Sequence, residues 1–256
     1  MAESSSPDTA EALATADTAG QGRWIDLVSG RYGLYTLAIN LGVLMWAINQ
    51  LVVSGIMPTV VADIGGMRLY SWTFALFSMG SVIGAASAGP LKDAFGSRGA
   101  YAGVGAIFFL SLVGCGFAPN METLVAWRLF QGFGGGAVTS LGYALMASLY
   151  PERLRSRALA FTSTTWGVAT AFGPGFGGIF AEFGLWREAF WAMTPLALLF
   201  IVLVWKMIPA GAAHRRMSRI PYWRLLMIGG SVLALSATSQ RTPRPPNSAA
   251  AASADA

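Results

Sequence analysis

Six long apolar stretches constrain the fold of this 256-residue chain more than any other feature. Each has roughly 20 mostly apolar residues, the length of helix that crosses the hydrocarbon core of a bilayer. No water is available there, so a crossing segment must be a helix or a strand of a closed barrel. The stretches do not alternate apolar with polar residues, and only 11% of the chain is charged. The sequence therefore predicts an all-α polytopic membrane protein.

The apolar stretches divide the chain into predicted domains. We number six spans from the N-terminus, at about residues 34–58, 69–89, 100–117, 122–150, 157–183 and 188–208. They form a six-helix unit (32–209) after a polar N-terminal tail (1–31) that lacks periodicity and is predicted to be disordered. A basic loop (210–221), a partial seventh span (222–238) and a low-complexity tail (239–256) follow. Because the seventh span stops early, we interpret the C-terminus as truncated or frame-shifted, with a natural disordered tail as the alternative.

Lysine and arginine are concentrated on one side of the predicted membrane. The loops after odd-numbered spans, with their flanks, hold only Arg68 and Arg187. The loops after even-numbered spans hold ten basic residues: Lys92, Arg98, Arg153, Arg155, Arg157, Lys206, Arg215, Arg216, Arg219 and Arg224. Cytoplasmic loops carry such an excess, so the even-numbered loops and the N-terminus are predicted to be cytoplasmic. The net charge of +5 belongs to these loops and does not indicate nucleic-acid binding.

Span 4 carries a charge inside its apolar run. Arg128 lies about two helical turns into the span, roughly 10 Å below the membrane surface. A cation at that depth is costly unless it faces a bundle interior, a wet cavity or a partner, although an arginine near a helix end can also snorkel. Gln131 lies one turn further on the same face, and Gly132 and Gly136 are spaced for close helix packing. This combination favours a polar pathway through a helical bundle.

The loop between spans 2 and 3 reads Gly-Pro-Leu-Lys-Asp-Ala-Phe-Gly-Ser-Arg over residues 89–98. It resembles the signature loop of the major facilitator superfamily, G-x-L-x-D-x-x-G-r-k. Ala94 and Ser97 replace basic residues of that pattern, and an ordinary solvated turn is the alternative. We expect the glycines to permit a tight cytoplasmic turn and the aspartate to meet a helix N-terminus or a cation. The matching residues are Gly89, Leu91, Asp93, Gly96 and Arg98.

Spans 4 and 5 resemble two further motifs of the same superfamily. Span 4 matches L-x-x-x-R-x-x-q-G-x-g, a motif whose arginine the resemblance associates with proton coupling or with organising a central cavity. Span 5 resembles the antiporter signature that ends in G-P-x-x-G-G, with Ala169 in place of a usual glycine. A proline and glycines inside a helix favour a bent, closely packed segment. The matching residues are Leu124, Arg128, Gln131, Gly132 and Gly134 in span 4, and Gly167, Gly173, Pro174, Gly177 and Gly178 in span 5.

Segment 57–66 and the Leu185-Trp186-Arg187 run resemble the drug:proton antiporter, or multidrug efflux, branch. That branch often has an aspartate nine residues before the proline of span 1, where this chain has Asn49. Asn49 cannot titrate, and no Asp or Glu lies deep in a predicted span. A coupling carboxylate would therefore lie at a span edge or in a half that this sequence lacks. The resemblance covers residues 32–237, the N-terminal half of a fold built from two six-helix halves, each a 3+3 inverted repeat.

The resemblance implies a secondary active transporter of the bacterial inner membrane. It would export lipophilic or amphipathic small molecules by alternating access, coupled to protons. Arg128 and Gln131 are the candidate coupling and cavity residues, and Trp46, Asn49 and Gln50 are candidates for contacting substrate. The alternatives are a non-transporting fragment, a half-size protein that pairs with a second half or copy, or a channel.

An enzyme is disfavoured by the residues that its chemistry would need. His214 is the only histidine and lies in the basic loop, so no histidine-containing metal cluster is predicted within the spans. The glycines stand at helix-packing spacings, and none belongs to a phosphate-binding G-x-x-x-x-G-K loop. We therefore predict no metal, no cofactor and no catalytic residue. The predicted partners are the bilayer, a small-molecule substrate and protons.

The orientation can be tested by labelling single cysteines on a Cys115→Ala background. We expect Ser97→Cys, after span 2, to react with a membrane-impermeant maleimide only after permeabilisation of spheroplasts. We expect Pro119→Cys, after span 3, to react in intact spheroplasts, because odd-numbered loops are predicted to lie outside. The reverse labelling pattern would contradict the predicted orientation.

Overall fold

A computed structural model describes residues 24–211, which are helical apart from short connections and contain no strand. The predicted seventh span and the low-complexity tail lie outside the described residues. So do residues 1–23 of the N-terminal tail and most of the basic loop, from residue 212 onward. The domain boundaries proposed there remain predictions.

All six predicted spans are present as helices. The bounds are Gly30–Ile64 for span 1, Tyr70–Gly116 for spans 2 and 3 together, Met121–Leu149 for span 4, Glu152–Glu182 for span 5, and Trp186–Ala192 with Thr194–Met207 for span 6. A single 3-10 turn, Met67–Leu69, precedes span 2. The predicted six-helix architecture is confirmed.

Length and hydropathy alone qualify three helical stretches for crossing a membrane, namely Gly30–Ile64, Met67–Gly116 and Trp186–Met207. The second stretch contains two predicted spans, and its 50 residues exceed twice the roughly 20 that one crossing needs. Spans 4 and 5 are long enough but less apolar, because glycine, serine and threonine are frequent in them. Their small and polar residues make contacts with neighbouring spans, as described below.

The prediction that residues 1–31 are disordered is wrong for the part that the structure describes. A short helix, Trp24–Val28, precedes span 1, and span 1 itself begins at Gly30. Leu27 is buried, and the hydroxyl of Thr36 donates a 3.0 Å hydrogen bond to its carbonyl oxygen. Five residues are too few to show helical periodicity in a sequence, so only the tertiary contact reveals this helix.

Span 1 also ends later than predicted. We placed its end near Pro58, but the helix continues through that proline to Ile64. It stops at Gly65 and Gly66, which have φ angles of 70° and 79°. This left-handed region of φ favours glycine, so the glycine pair terminates the helix and the proline does not.

The signature loop turns at one residue. Of its two glycines, Gly89 is helical, and only Gly96 departs from the helix, at φ 70° and ψ 170°. The expectation that both glycines form the turn is therefore wrong. An added Cβ at Gly96 would lie 2.6 Å from the carbonyl oxygen of Ala210, and Nε of Arg98 donates a 2.7 Å hydrogen bond to the carbonyl oxygen of Ile208. The loop thus holds the end of span 6.

The other residues of the signature loop make fewer contacts. Leu91 is partly buried and packs against the apolar core. Within residues 24–211, Asp93 has no hydrogen bond or ion pair, so the partner expected for it is not among the described residues.

Spans 2 and 4 touch backbone to backbone through glycines on both helices. A Cβ at Gly84 would lie 2.0 Å from the carbonyl oxygen of Phe133, and one at Gly132 would lie 2.0 Å from that of Phe77. An added Cβ at Gly80 would lie 2.1 Å from the carbonyl oxygen of Leu129, and one at Gly136 would lie 2.1 Å from that of Ser81. Small residues allow this approach, which in lipid supplies the van der Waals contact that holds helices together.

The remaining span contacts follow the symmetry of a 3+3 repeat. Span 1 packs against span 5, and span 3 packs against span 6, where the rings of Tyr101 and Phe200 are 5.0 Å apart. Exchanging spans 1, 2 and 3 with spans 4, 5 and 6 converts the 1–5 contact into the 2–4 contact. The observed pairing is therefore that of the repeat described for major facilitator folds.

The glycine contact between spans 2 and 4 predicts a stability difference between two alanine variants. Gly84→Ala should lower the melting temperature of the detergent-solubilised chain, since overpacking costs about 1–3 kcal/mol. Gly103→Ala is the matched control, because Gly103 lies in the same helical stretch with no neighbouring atom within 4 Å of an added Cβ. A Gly84→Ala variant as stable as Gly103→Ala would disprove the close contact.

Candidate functional site

Arg128 is fully buried on the side of span 4 that faces spans 1 and 2. It is the eighth residue of the helix Met121–Leu149, about 10 Å along the axis from the helix start. Its guanidinium carbon lies 4.0 Å from the centre of the Phe77 ring in span 2, a cation–π geometry. Because the side chain has no exposed surface, it does not snorkel to the helix end.

Three amide oxygens surround the guanidinium. Nη1 of Arg128 donates to Oδ1 of Asn49 at 3.1 Å and to Oε1 of Gln131. Nη2 lies 3.5 Å from Oε1 of Gln50, at the outer limit of a hydrogen bond. Asn49 and Gln131 are fully buried, whereas Gln50 is partly exposed. The structure therefore brings together four of the predicted site residues.

Trp46, the fifth predicted residue, packs from span 1 against the face of span 4 that carries Arg128 and Gln131. Its ring covers Gly135, where an added Cβ would lie 2.1 Å from Cδ1 of the indole. Gly135 is seven residues after Arg128 and four after Gln131, so the three positions share one face of the helix. The indole also contacts the ring of Trp166 in span 5, with 5.2 Å between centroids.

The buried guanidinium has only neutral partners in residues 24–211. The single ion pair of that range joins Arg187 to Asp63 at 2.6 Å and involves no residue of this site. Removing a charge from water without a counter-charge costs on the order of several kcal/mol, which hydrogen bonds to amides offset in part. Asn49, which stands where the branch often has an aspartate, contacts Arg128 directly.

Three N–H groups at the site lack an acceptor among the described residues. They are Nε of Arg128, Nε2 of Gln131 and Nε1 of Trp46, and each of these atoms is buried. Buried polar groups are almost always hydrogen-bonded, so an unpartnered set at one place is unusual. The arrangement leaves donors without acceptors beside an uncompensated cation.

The antiporter motif lies on span 5, next to span 1. Gly173 and Gly177 are buried, and an added Cβ would come within 2.7 Å and 2.9 Å of span 1 atoms. Gly167 and Gly178 have no such neighbours within 4 Å, and Pro174 is exposed. The motif thus fixes the 1–5 contact and does not itself touch Arg128.

Some residues of the site were missed by the sequence analysis. Phe77, Trp166 and Met193 contact it from spans 2, 5 and 6, and Nδ2 of Asn49 lies 3.7 Å from the sulfur of Met193. Apolar side chains carry no local signal that distinguishes a site from a core. One pattern could have indicated Phe77: it lies three residues before Gly80, and therefore on the face of span 2 that meets span 4.

An acidic residue at a span edge forms a separate cluster. Oδ2 of Asp63, at the end of span 1, accepts from Nη1 of Arg187 at 2.6 Å and from Nε1 of Trp186 at 3.0 Å. The Arg187 guanidinium also lies 4.1 Å from the centre of the Trp186 ring. The cluster joins the ends of spans 1 and 6, and its partial exposure makes the ion pair weak.

No group of three or more His, Cys, Asp or Glu side chains within residues 24–211 is placed to hold a metal ion.

Six packed helices, three of which supply the groups around a buried cation, define half of a membrane transporter fold. Residues 36–234 match the family described as Major Facilitator Superfamily. The chain belongs to this superfamily, and it is an integral membrane protein.

Two relatives from Mycobacterium tuberculosis show the level of similarity. A protein named "Probable multidrug-efflux transporter" is 39% identical over 226 residues, which cover 84% of this chain and 47% of that protein. An "Uncharacterized MFS-type transporter" is 32% identical over 205 residues, or 80% of this chain and 30% of that protein. The chain thus spans about half the length of the relative that it matches better, and it corresponds to the N-terminal half.

Solved structures agree on the fold. A D-xylose-proton symporter has a TM-score of 0.63 at 19% identity, covering 83% of this chain and 54% of that one. The human organic anion transporter MFSD10 has a TM-score of 0.59 at 18% identity, covering 84% and 57%. At this identity the likeness concerns the fold alone, and it confirms half of a major facilitator fold.

The neutral surroundings of Arg128 predict an unusual effect of Asn49→Asp. The carboxylate would face Nη1 at about the present 3.1 Å, and the hydrogen bond would become charge-assisted. We expect a higher melting temperature, corresponding to about 1–3 kcal/mol. In an Arg128→Gln background, the same substitution should lower the melting temperature because it buries an unpaired charge. Destabilisation of equal size in both backgrounds would refute the coupling.

Proposed function

We propose that this chain is the N-terminal half of a secondary active transporter that exports lipophilic or amphipathic small molecules by alternating access. The observation that carries the proposal is the fully buried Arg128, held between spans 1, 2 and 4 by neutral partners. An ionisable residue inside membrane spans is expensive and is typical of a substrate or ion pathway. The name of the M. tuberculosis relative supports efflux as the direction.

The substrate would contact the polar and aromatic side chains around Arg128. Gln50 and Trp46 are partly exposed and lie at the edge of the cluster, where an entering molecule would meet them first. Trp46 and Trp166 offer ring faces for apolar parts of a substrate. Such a mixture of aromatic surface and a few polar groups is usual in small-molecule sites.

Proton coupling would require a titratable carboxylate near Arg128. Asp63 is paired with Arg187 at a span end, and Asn49 cannot titrate. We therefore place the coupling carboxylate in a second half of the transporter. The fixed charge of Arg128 would favour the ionised form of an approaching carboxyl group and so link proton release to closure of the two halves.

Alternating access would occur as this half rocks against another unit. Span 5 presents a row of exposed apolar side chains on its outer side, including Phe172, Phe176 and Ile179. Gly167, Gly175 and Gly178 leave open space near them, which would allow a neighbouring helix to approach closely. We propose this face of span 5 as the contact with a second half or a second copy.

The second candidate function is a half that does not transport by itself. The observation that favours it is that the chain spans 47% of the length of its M. tuberculosis relative. In that case the six spans would fold in the bacterial plasma membrane, with the N-terminus in the cytoplasm, but would enclose no complete pathway.

Transport can be measured as the export of preloaded dyes from efflux-deficient bacteria that express the chain. We use neutral Nile red and anionic fluorescein, and compare wild type with Arg128→Ala. Because Arg128 is proposed to organise the cavity, we expect the variant to lose gradient-driven export at unchanged expression. Arg153→Ala is the matched control, since Arg153 is exposed at the start of span 5.

The outcomes separate the two candidate functions. Export that survives Arg128→Ala would remove the role proposed for this residue. No export by the wild-type chain, with normal membrane insertion, would favour the non-transporting half.

A further inference from the structure

The donors around Arg128 are more numerous than the acceptors. Nε of Arg128, Nε2 of Gln131 and Nε1 of Trp46 are buried without partners, while the amide oxygens of the site already accept from Nη1 and Nη2. The guanidinium adds a full positive charge that no carboxylate of residues 24–211 balances. What is absent from the site is thus an acceptor that carries negative charge.

These donors lie along one stripe of span 4, two of them on that helix and the third on Trp46 of span 1, which packs against it. Arg128 and Gln131 are three residues apart, and Trp46 covers Gly135, four residues further on. With a rise of 1.5 Å per residue, the stripe is about 10 Å long, which suits a small molecule with one anionic end. The anionic end would lie at Arg128, because guanidinium groups bind carboxylates through paired N–H donors.

We propose that Arg128, Gln131 and Trp46 form a binding site for a carboxylate. The carboxylate belongs to an aromatic small molecule. The inference rests on the proposed function in that it uses the same site, and it names the chemical class of the ligand. It favours anionic over cationic substrates, since a second cation beside Arg128 would be repelled in a medium of low dielectric constant.

Neighbouring groups favour an aromatic acid over a simple one. Phe77 lies 4.0 Å from the guanidinium, and the rings of Trp46 and Trp166 form an edge-to-face pair. A flat apolar body can contact these rings while its carboxylate meets the donors. Gln50 is partly exposed and contacts Nη2, so the cluster lies one side chain below the surface of this half.

The test uses the full purified chain in dodecyl maltoside and isothermal titration calorimetry at pH 7.5. The probe is 2-naphthoate, and 2-naphthamide is its neutral analogue of the same shape. We expect naphthoate to bind at least about tenfold more tightly than naphthamide, as a charge-assisted hydrogen bond predicts. Titration into empty micelles corrects for partitioning.

Four variants locate the effect. Arg128→Gln should lose the preference for naphthoate, and Asn49→Asp should lose it as well, because its own carboxylate would occupy the guanidinium. Ser156→Asp places the same charge at an exposed position near the start of span 5, and Arg153→Gln removes an exposed arginine there, so both should bind like wild type. Asn49→Asp keeps the test valid if Arg128→Gln does not fold.

Sedimentation velocity on the same samples reports the oligomeric state in which naphthoate binds. Binding of naphthoate to a monomer, lost in Asn49→Asp, identifies a small-molecule site. Self-association of the wild-type chain that is absent in Asn49→Asp, with no naphthoate binding, would overturn the inference. If naphthoate binding does not depend on Arg128 or Asn49, the inference is wrong.

The binding result is independent of the transport assay. A chain that exports dye but shows no carboxylate preference would overturn this inference and leave the proposed function. A chain that binds naphthoate without exporting dye would support this inference and contradict the proposed transport.

Discussion

The burial of one guanidinium among helices that touch through glycines is the constraint on which this six-helix half of a major facilitator fold depends. Arg128 can be fully buried only because spans 1 and 2 supply amide oxygens and an aromatic face within reach of span 4. Spans 2 and 4 can approach that closely because Gly80 and Gly84 of span 2 and Gly132 and Gly136 of span 4 carry no side chain. The same closeness that permits helix association in lipid therefore also builds the polar site.

The site differs from the expectation for a coupling centre in its charge balance. Where a carboxylate would neutralise Arg128, the chain has Asn49, and the described residues leave a net positive charge with free N–H donors. In a medium of low dielectric constant such a group attracts an anion strongly. The asparagine at position 49 of span 1 thus leaves Arg128 hydrogen-bonded but without an ion pair inside residues 24–211.

Sequence patterns predicted the scaffold well and the site in part. The long, mostly apolar runs of the sequence indicated all six spans, and the motif in span 4 singled out Arg128 and Gln131. The sequence analysis missed the helix Trp24–Val28, because five residues are too few to show helical periodicity. It also placed the end of span 1 at Pro58, although a proline inside a membrane helix need not end the helix. The partners Phe77 and Met193 were missed since apolar residues look alike in sequence.

The sequence alone determined that the chain crosses the membrane as helices, because the absence of water in the bilayer leaves an apolar stretch of this length few alternatives. It also indicated the family, because the residues of three motifs occur in this one sequence at the expected spacing and in the expected order. Only the tertiary structure decided which polar groups meet. Asn49 and Arg128 are 79 residues apart in sequence, and their contact depends on the rotation and separation of the two helices that carry them. Rotation and separation follow from glycine contacts between helices, and the spacing of glycines in one helix does not show which helix it meets.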